Sequence, residues 1–375
     1  MKKLYLLKQG FKASRKLLLV ELARHSKSFF PAITFDPMVA TLIVTDNCNS
    51  RCITCTEWRQ KSYNELSLGE ISSVLNQLKQ LGVRGISITG GEPLLREDVT
   101  DIVRKCSTLR FEEIQILTNG LLLTPDLAEE LLESGVTTMG ISLDGLKETN
   151  DSVRGIEGSF EKVITALKMV VELRDKKHYS TELYVATTLM KPTLNQIIPL
   201  ANLVRDLKVK INFNLIDNSP YFLQTDISDL LIEDQNELDK VVDELHELKS
   251  KHGNIFLISQ THASIEYMRK YFQDPKREDI PCILGYVCIY IGAHGELYSG
   301  CLSLKPLGNI REQSLKEIVN SAEYKARLYD MFYKKCPGCS SHHNMNLLYC
   351  ASWIKDEILW KLRMKKRHVL SSFSG

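Results

Sequence analysis

Between about residues 38 and 216 the chain alternates six times between an apolar, β-rich run and an amphipathic stretch of helical period. The runs are 38–45 (MVATLIVT), 84–89, 112–118, 137–143, 181–190 and 209–216. Helices are expected between them at 67–81, 97–107, 125–134, 159–173 and 193–206. Ser67 and Glu70 have the spacing of a capping box. Thr124 followed by Pro125 gives a cap with proline at the first helical position. Repeated strand–helix units pack as a parallel sheet with helices outside it. Six units are too few to close an eight-fold barrel. The expected fold is therefore α/β, an open partial (β/α)6 barrel over 38–216.

The rest of the chain has a different character. Residues 217–280 read as a connecting segment with helices near 233–252 and 261–273. Residues 281–350 are cysteine-rich, with a hairpin signal (CIYIGAHGELYSGC) and a short helix at 314–327. We expect a domain boundary near 280. The two ends are basic: residues 1–37 begin with a net +7 over the first thirty, and residues 351–375 end with a net +4 over 355–375, against +2 for the whole chain. The body is thus mildly acidic, and no nucleic-acid partner is expected. In the N-terminal segment Leu4, Leu7, Phe11, Leu18 and Leu22 can share one helical stripe, with Lys8, Lys12, Arg15 and Lys16 around it. Such a helix suits an anionic membrane or an anionic substrate, or packs on its own barrel. No apolar run reaches the roughly 18 residues of a membrane span. The run Leu17–Ala23, interrupted by Glu21, has no small-residue cleavage site after it. The expectation is a cytoplasmic protein with peripheral contact to the inner face of the membrane as an option.

The ten cysteines are clustered. Cys48, Cys52 and Cys55 fall within eight residues, Cys106 stands alone, and Cys282, Cys288, Cys301, Cys336, Cys339 and Cys350 lie in the last hundred. Clusters of this kind in a chain without a secretory signal read as metal ligands in a reducing compartment. Three thiolates can fold around one cubane iron–sulfur cluster and leave its fourth iron open. The competing reading is a zinc knuckle with a fourth ligand elsewhere. The second motif, Gly90-Gly91-Glu92-Pro93, follows the second strand. Two glycines let a ligand approach the backbone, and Glu92 offers an acceptor for an ammonium group. Taken alone this is a βα turn.

Together the two motifs resemble the radical SAM (S-adenosylmethionine) superfamily, whose hallmark is this cysteine triplet after the first strand with a GGE-type motif after the second. Thr118-Asn119-Gly120, Ser142-Leu143-Asp144-Gly145 and Asn150-Asp151-x-x-Arg154-Gly155 extend the resemblance. It implies that Cys48, Cys52 and Cys55 hold a [4Fe–4S] cluster and that S-adenosylmethionine binds at Gly90, Gly91, Glu92, Pro93, Asn119, Ser142, Asp144 and Arg154. Ser142 and Asp144 would face the ribose and methionine end, and Arg154 the methionine carboxylate. No catalytic residue beyond the cluster is assigned. One departure stands out. The position before the third cysteine, aromatic in the family, is Thr54, and the nearby aromatic is Trp58.

The C-terminal cysteines resemble those of the twitch domain, the shortened SPASM extension, which holds one auxiliary [4Fe–4S] cluster. On that resemblance its ligands are Cys282, Cys301, Cys336 and Cys339, with Cys288 and Cys350 in reserve. The alternative is a structural zinc site, with His342 and His343 close enough to contribute. The resemblance implies an enzyme that takes one electron from a donor such as flavodoxin or ferredoxin and cleaves S-adenosylmethionine. The resulting 5′-deoxyadenosyl radical takes a hydrogen atom from substrate. An auxiliary cluster favours a net oxidation, with a small carbohydrate-like or a lipid-linked metabolite as substrate. A peptide-modifying maturase is the alternative enzyme. An iron–sulfur or zinc scaffold is the non-enzymatic one, and GGEP, TNG and SLDG argue against it, since a scaffold needs no adenosine site.

Overall fold

A computed structural model describes residues 15–59, 62–216, 227–257, 260–274 and 280–336 of the chain. Six parallel strands follow the expected runs: β1 (Val39–Ile43), β2 (Gly85–Thr89), β3 (Glu113–Thr118), β4 (Thr138–Ser142), β5 (Glu182–Leu189) and β6 (Lys210–Leu215). Helices α2 (Leu68–Gln80), α3 (Val99–Thr108), α4 (Pro125–Ser134), α6 (Ser159–Lys177) and α7 (Ile197–Asp206) connect them. The strands are short; β2 and β4 are buried along most of their length, as parallel strands covered on both faces are, whereas β3 and β6 alternate between buried and less buried positions. The Ser67 hydroxyl and the Glu70 carboxylate cap α2 reciprocally, and Thr124 caps α4 through the Leu127 N–H.

Two features of this part departed from expectation. A short extra helix, α5 (Lys147–Arg154), follows β4 and ends on Gly155 at φ 64°. It carries almost no apolar stripe, so its period is invisible in the sequence. Beyond the barrel, α8 (Gln235–Lys251) and α9 (His262–Gln273) pair with each other.

The second departure concerns the hairpin. After α10 (Leu284–Val287) come β7 (Cys288–Ile291) and β8 (Leu297–Tyr298). β7 does not belong to a separate sheet. It lies parallel to β1, with Val39 opposite Cys288, and β8 returns antiparallel to it. The single sheet runs β6-β5-β4-β3-β2-β1-β7-β8. The helix expected at 314–327 is broken at Ser321 into α11 (Leu315–Asn320) and α12 (Ala322–Phe332).

One contiguous apolar cluster joins the barrel to this C-terminal part, from Leu75 and Ile116 through Ile289 to Tyr324 and Phe332. The N-terminal helix α1 (15–25) is in the same cluster through Val20 and Ala23. Its buried face is Lys16, Val20 and Ala23, whereas Leu18 is 59% exposed. The stripe expected through Leu18 is therefore not the packed one; Leu4, Leu7 and Phe11 lie outside the described residues. The Tyr333 hydroxyl donates to the Ala23 carbonyl at 3.0 Å, and Phe30 packs among Tyr286, Tyr329, Phe332 and Tyr333. The helix is docked on the C-terminal part. No helix among the described residues is long and apolar enough to cross a membrane.

Candidate active site

The loop after β1 carries Cys48, Cys52 and Cys55 and is held from three sides. On the first side is the GGEP turn. The Gly91 N–H donates to the Thr45 carbonyl at 2.7 Å, and the Glu92 N–H to the Asn47 carbonyl at 2.8 Å. A methyl group on Gly90 would stand 2.3 Å from the Thr45 oxygen, and one on Gly91 2.3 Å from the Asn47 oxygen. The glycines are thus needed because the cysteine loop itself lies against them; the sequence reading had reserved that approach for a ligand. Pro93 is buried and opens a short 3-10 turn behind them.

Glu92 is also not a waiting acceptor. It is 1% exposed. Its Oε1 accepts from the Thr118 hydroxyl at 2.6 Å and the Leu94 N–H at 3.0 Å, and its Oε2 from the Asn119 N–H at 2.7 Å. Burial raises its pKa above the usual carboxylate value while these donors pull it back. The carboxylate joins the ends of β2 and β3. Asn119 passes the connection on: its Nδ2 donates to Asn49 Oδ1 at 2.6 Å and to Ser50 Oγ at 3.0 Å, inside the cysteine loop.

The second side is α5. The N–H groups of Arg51 and Ile53 donate to the carbonyls of Arg154 and Val153, at 3.0 and 2.9 Å. Gly155 lets them come close, since a methyl there would be 2.5 Å from the Arg51 oxygen. Arg154 points back at the loop. Its Nη1 lies 3.7 Å from Cys52 Sγ and its Nη2 2.6 Å from Asp144 Oδ2. Asp144 is 1% exposed, and its Oδ1 accepts from the Thr188 N–H at 2.6 Å. Burial works against the guanidinium charge, but Asp144 and the thiols more than offset it, so its pKa stands above the ordinary arginine value. Ser142 ends β4 half-buried, beside this pair in sequence.

The third side comes from the hairpin after β7. His294 Nε2 lies 3.1 Å from Asp46 Oδ2. Burial raises the Asp46 pKa, and His294 lowers it in part. Glu57, burdened by burial and by Asp46, is pushed up to about 7. Trp58 folds back over the loop, its indole N–H donating to the Cys55 carbonyl at 2.9 Å. It clamps the loop backbone by this bond. An open cleft of about 540 Å³ remains, lined by Cys48, Asn49, Ser50, Arg51, Trp58 and Arg59.

The donor set suits a cluster. The three thiols lie within electrostatic reach of one another, and burial raises Cys48 and pushes Cys55 up to about 12. Burial favours the protonated form of Cys48 and Cys55, and a cation that draws on their thiolates works against it. Among the described residues no three His, Cys, Asp or Glu side chains converge on one ion. A single zinc would need that convergence, with every donor about 2.0–2.3 Å from one centre. A cubane spreads its thiolates over separate irons and so does not ask for that convergence.

In the C-terminal part Cys282, Cys288 and Cys301 are all buried. The Cys288 thiol is pushed up to about 12, by burial and then by Cys282. Gly300, next in sequence to Cys301, has φ 71° and lies against the carbonyls of Leu284 and Cys288. Cys336 is half-buried, and Cys339, His342, His343 and Cys350 lie outside the described residues. Sequence reasoning missed Asn49, Ser50, Asp46 and His294, whose roles depend on contacts between distant segments.

The family profile of the Radical SAM superfamily matches residues 42–196, and that of the SPASM iron–sulfur cluster-binding domain matches residues 282–340. The chain belongs to the radical SAM superfamily. It is an enzyme of that superfamily with a SPASM-type C-terminal domain, and its cofactors are S-adenosylmethionine and iron–sulfur clusters. An AdoMet-dependent heme synthase of Methanosarcina barkeri is 27% identical over 341 residues, covering 82% of this chain and 92% of that one. A probable GTP 3′,8-cyclase of Archaeoglobus fulgidus is 39% identical over 140 residues, covering 34% of this chain and 46% of that one. The match thus spans about half the length of the cyclase. In fold, the radical SAM chain is similar to anSMEcpe with bound AdoMet, at a TM-score of 0.62 and 18% identity over 88% of this chain and 95% of that one. SuiB of Streptococcus suis, bound to its precursor peptide SuiA, gives a TM-score of 0.61 at 18% identity over 78% and 66%.

Proposed function

We propose that this radical SAM enzyme performs a net two-electron oxidation of a small carbohydrate-like or lipid-linked metabolite, with a second cluster in the C-terminal domain taking the second electron. When bound, the first cluster and S-adenosylmethionine supply a 5′-deoxyadenosyl radical by one-electron cleavage of a carbon–sulfur bond. The observation that carries the reading is the pairing of β7 with β1. It pairs Cys288 with Val39, at the end of β1 opposite the one that leads into the Cys48–Cys55 loop. The span is roughly one strand length, about 15 Å. We assign the first cluster to Cys48, Cys52 and Cys55, and the second to Cys282, Cys301, Cys336 and Cys339. Domains are set at 38–216 and 281–350.

The chain's own residues divide the remaining work. Glu92, spent on three donors, holds the GGEP turn rigid, so the amine of S-adenosylmethionine falls to the backbone carbonyls of that turn. Arg154 keeps one edge on Asp144 and turns its other towards the loop, where it can reach a carboxylate. Flavodoxin or ferredoxin supplies the first electron. The alternative is a peptide-modifying maturase, a reading to which the fold of the SuiB complex lends support. Peripheral contact with an anionic membrane is carried by exposed Leu18 and Phe29 beside a basic N-terminus.

The test measures 5′-deoxyadenosine formed by anaerobic, reconstituted protein offered polyols, sugar phosphates, lipid-linked sugars and leader-bearing peptides. Stimulation by a hydroxylated metabolite, with a product two hydrogens lighter, is the expected result. Stimulation by peptides alone, or a product of unchanged oxidation level, would sink it.

A further inference from the structure

β7 runs parallel to β1, so the turn after it opens at the same end of the sheet as the cysteine loop. Near the tip of that turn stands His294. Its Nε2 lies 3.1 Å from Asp46 Oδ2 and 3.0 Å from Ser62 Oγ. Asp46 precedes Cys48 and Ser62 follows Cys55, so one imidazole holds both limbs of the loop.

The backbone that carries the ring is itself fixed in place. The His294 carbonyl accepts from Asn309 Nδ2 at 3.0 Å, and its N–H donates to Glu296 Oε2 at 3.2 Å. Gly295 behind it has φ 91°, and a methyl there would meet Asn309 Oδ1 at 2.8 Å. Neighbouring contacts stiffen the same region. Glu65 Oε1 accepts from Thr45 Oγ1 at 2.8 Å, from the Asp46 N–H at 3.0 Å and from Asn47 Nδ2 at 3.2 Å. The Leu66 N–H donates to the Ala293 carbonyl at 2.7 Å. These secure the backbone around the loop. Asn47 Oδ1, which accepts from the Ser62 N–H at 3.4 Å, and Glu65 tie the two limbs to each other, and His294 ties both of them to the hairpin.

We propose that His294 is a positioning residue for the radical chemistry: through Asp46 and Ser62 it sets where the Cys48–Cys55 loop stands, so that the C-terminal domain governs how S-adenosylmethionine is presented at the first centre. The inference rests on the radical SAM reading of that loop. His294 and Asp46 are 33% and 20% exposed, so their loss empties no core space. What changes is the placement of the loop, with the fold left standing.

The experiment compares His294→Ala and His294→Gln with wild type as reconstituted holoenzymes. The two protons of a glutamine amide nitrogen can donate to Asp46 Oδ2 and Ser62 Oγ, as the single Nε2–H does in the imidazole. Four quantities are read: hydrogen exchange over residues 45–47 and 62–66, the paramagnetic resonance spectrum of the reduced first centre with and without S-adenosylmethionine, the Kd for S-adenosylmethionine, and the thermal midpoint. His294→Ala should raise exchange in both segments and the Kd by about tenfold, the size expected for one lost charge-assisted hydrogen bond. It should also change the spectral response to S-adenosylmethionine, with the midpoint nearly unmoved. His294→Gln should recover most of this. Wild-type exchange and spectra in His294→Ala would overturn the proposal. A glutamine variant no better than alanine would do so too, since the ring and not its hydrogen bonds would then matter. Should His294→Ala fail to fold, Ser62→Ala takes its place, and unchanged exchange over 62–66 in that variant overturns the proposal. A wild-type protein that binds no S-adenosylmethionine would instead strike at the family chemistry, and exchange would still decide the link between His294 and the loop.

Discussion

Glu92 sits in the signature turn, and its carboxylate accepts from the protein's own donors. Its three donors belong to Leu94, Thr118 and Asn119. Replacing it with alanine leaves those donors buried and unpaired, and each such group is costly. Glu92→Ala should lose about 3 kcal/mol of stability in urea denaturation. Glu92→Gln, which keeps one accepting oxygen, should lose less. If the alanine variant were as stable as wild type, the carboxylate would have to be working outward after all. The glycines were legible as positions of close approach but not as to what approaches. Gly90 and Gly91 face the loop that begins at Thr45, forty-five residues earlier in the chain, and nothing local to GGEP names that neighbour.

At the scale of elements, the periodic pieces were legible and the contacts between them were not. The six strands and their helices follow from period and caps. α5 was missed because Lys147–Arg154 is polar around its whole circumference save Val153, although it is what brings Arg154 to Cys52. The N-terminal stripe was misjudged because a lysine, Lys16, occupies the buried face while a leucine, Leu18, does not. Val20→Asp should therefore destabilise by about 3 kcal/mol or more, through a charge buried without a partner. Leu18→Ser should stay within about 0.5 kcal/mol of wild type. Binding to anionic vesicles should rank differently, falling for Leu18→Ser if the helix meets a membrane.

The start of α2 is likewise tied to the C-terminal domain. Arg311 donates to Glu70 Oε1 at 2.6 Å and to the Asn64 carbonyl at 3.1 Å. Those bonds to Arg311, with the Ser67 cap, hold the Glu70 carboxyl down to about 2 against an ordinary 4.5. A depressed carboxyl stabilises the fold fully above its unfolded value and loses that contribution as pH falls through the folded one. The loss should appear between pH 4.5 and 2 and flatten in Glu70→Gln. An unchanged acid limb in that variant would remove Glu70 from the account.

The described residues form one eight-stranded sheet with a main apolar core and a small second cluster around Val153, Met190, Ile216 and Ile227. Two cubanes hold about eight irons per chain. Replacing Cys336 and Cys339 together should remove about half of that iron, while the first centre still cleaves S-adenosylmethionine and substrate turnover fails. A wild-type content near four irons with one zinc would overturn the second cluster and the oxidative outcome with it.

The neighbour of β1 on its outer side is β7, and the chain between Ile43 and Cys288 runs to about 245 residues. During synthesis at about 5–20 residues per second, that edge of β1 waits some 12–50 s for its partner. The buried face of α1 waits longer still, for Tyr333. A nascent barrel therefore carries an open strand edge beside the cysteine loop, and such edges pair readily with other chains. Until β7 arrives, the Cys48–Cys55 loop stands with only two of its three sides in place.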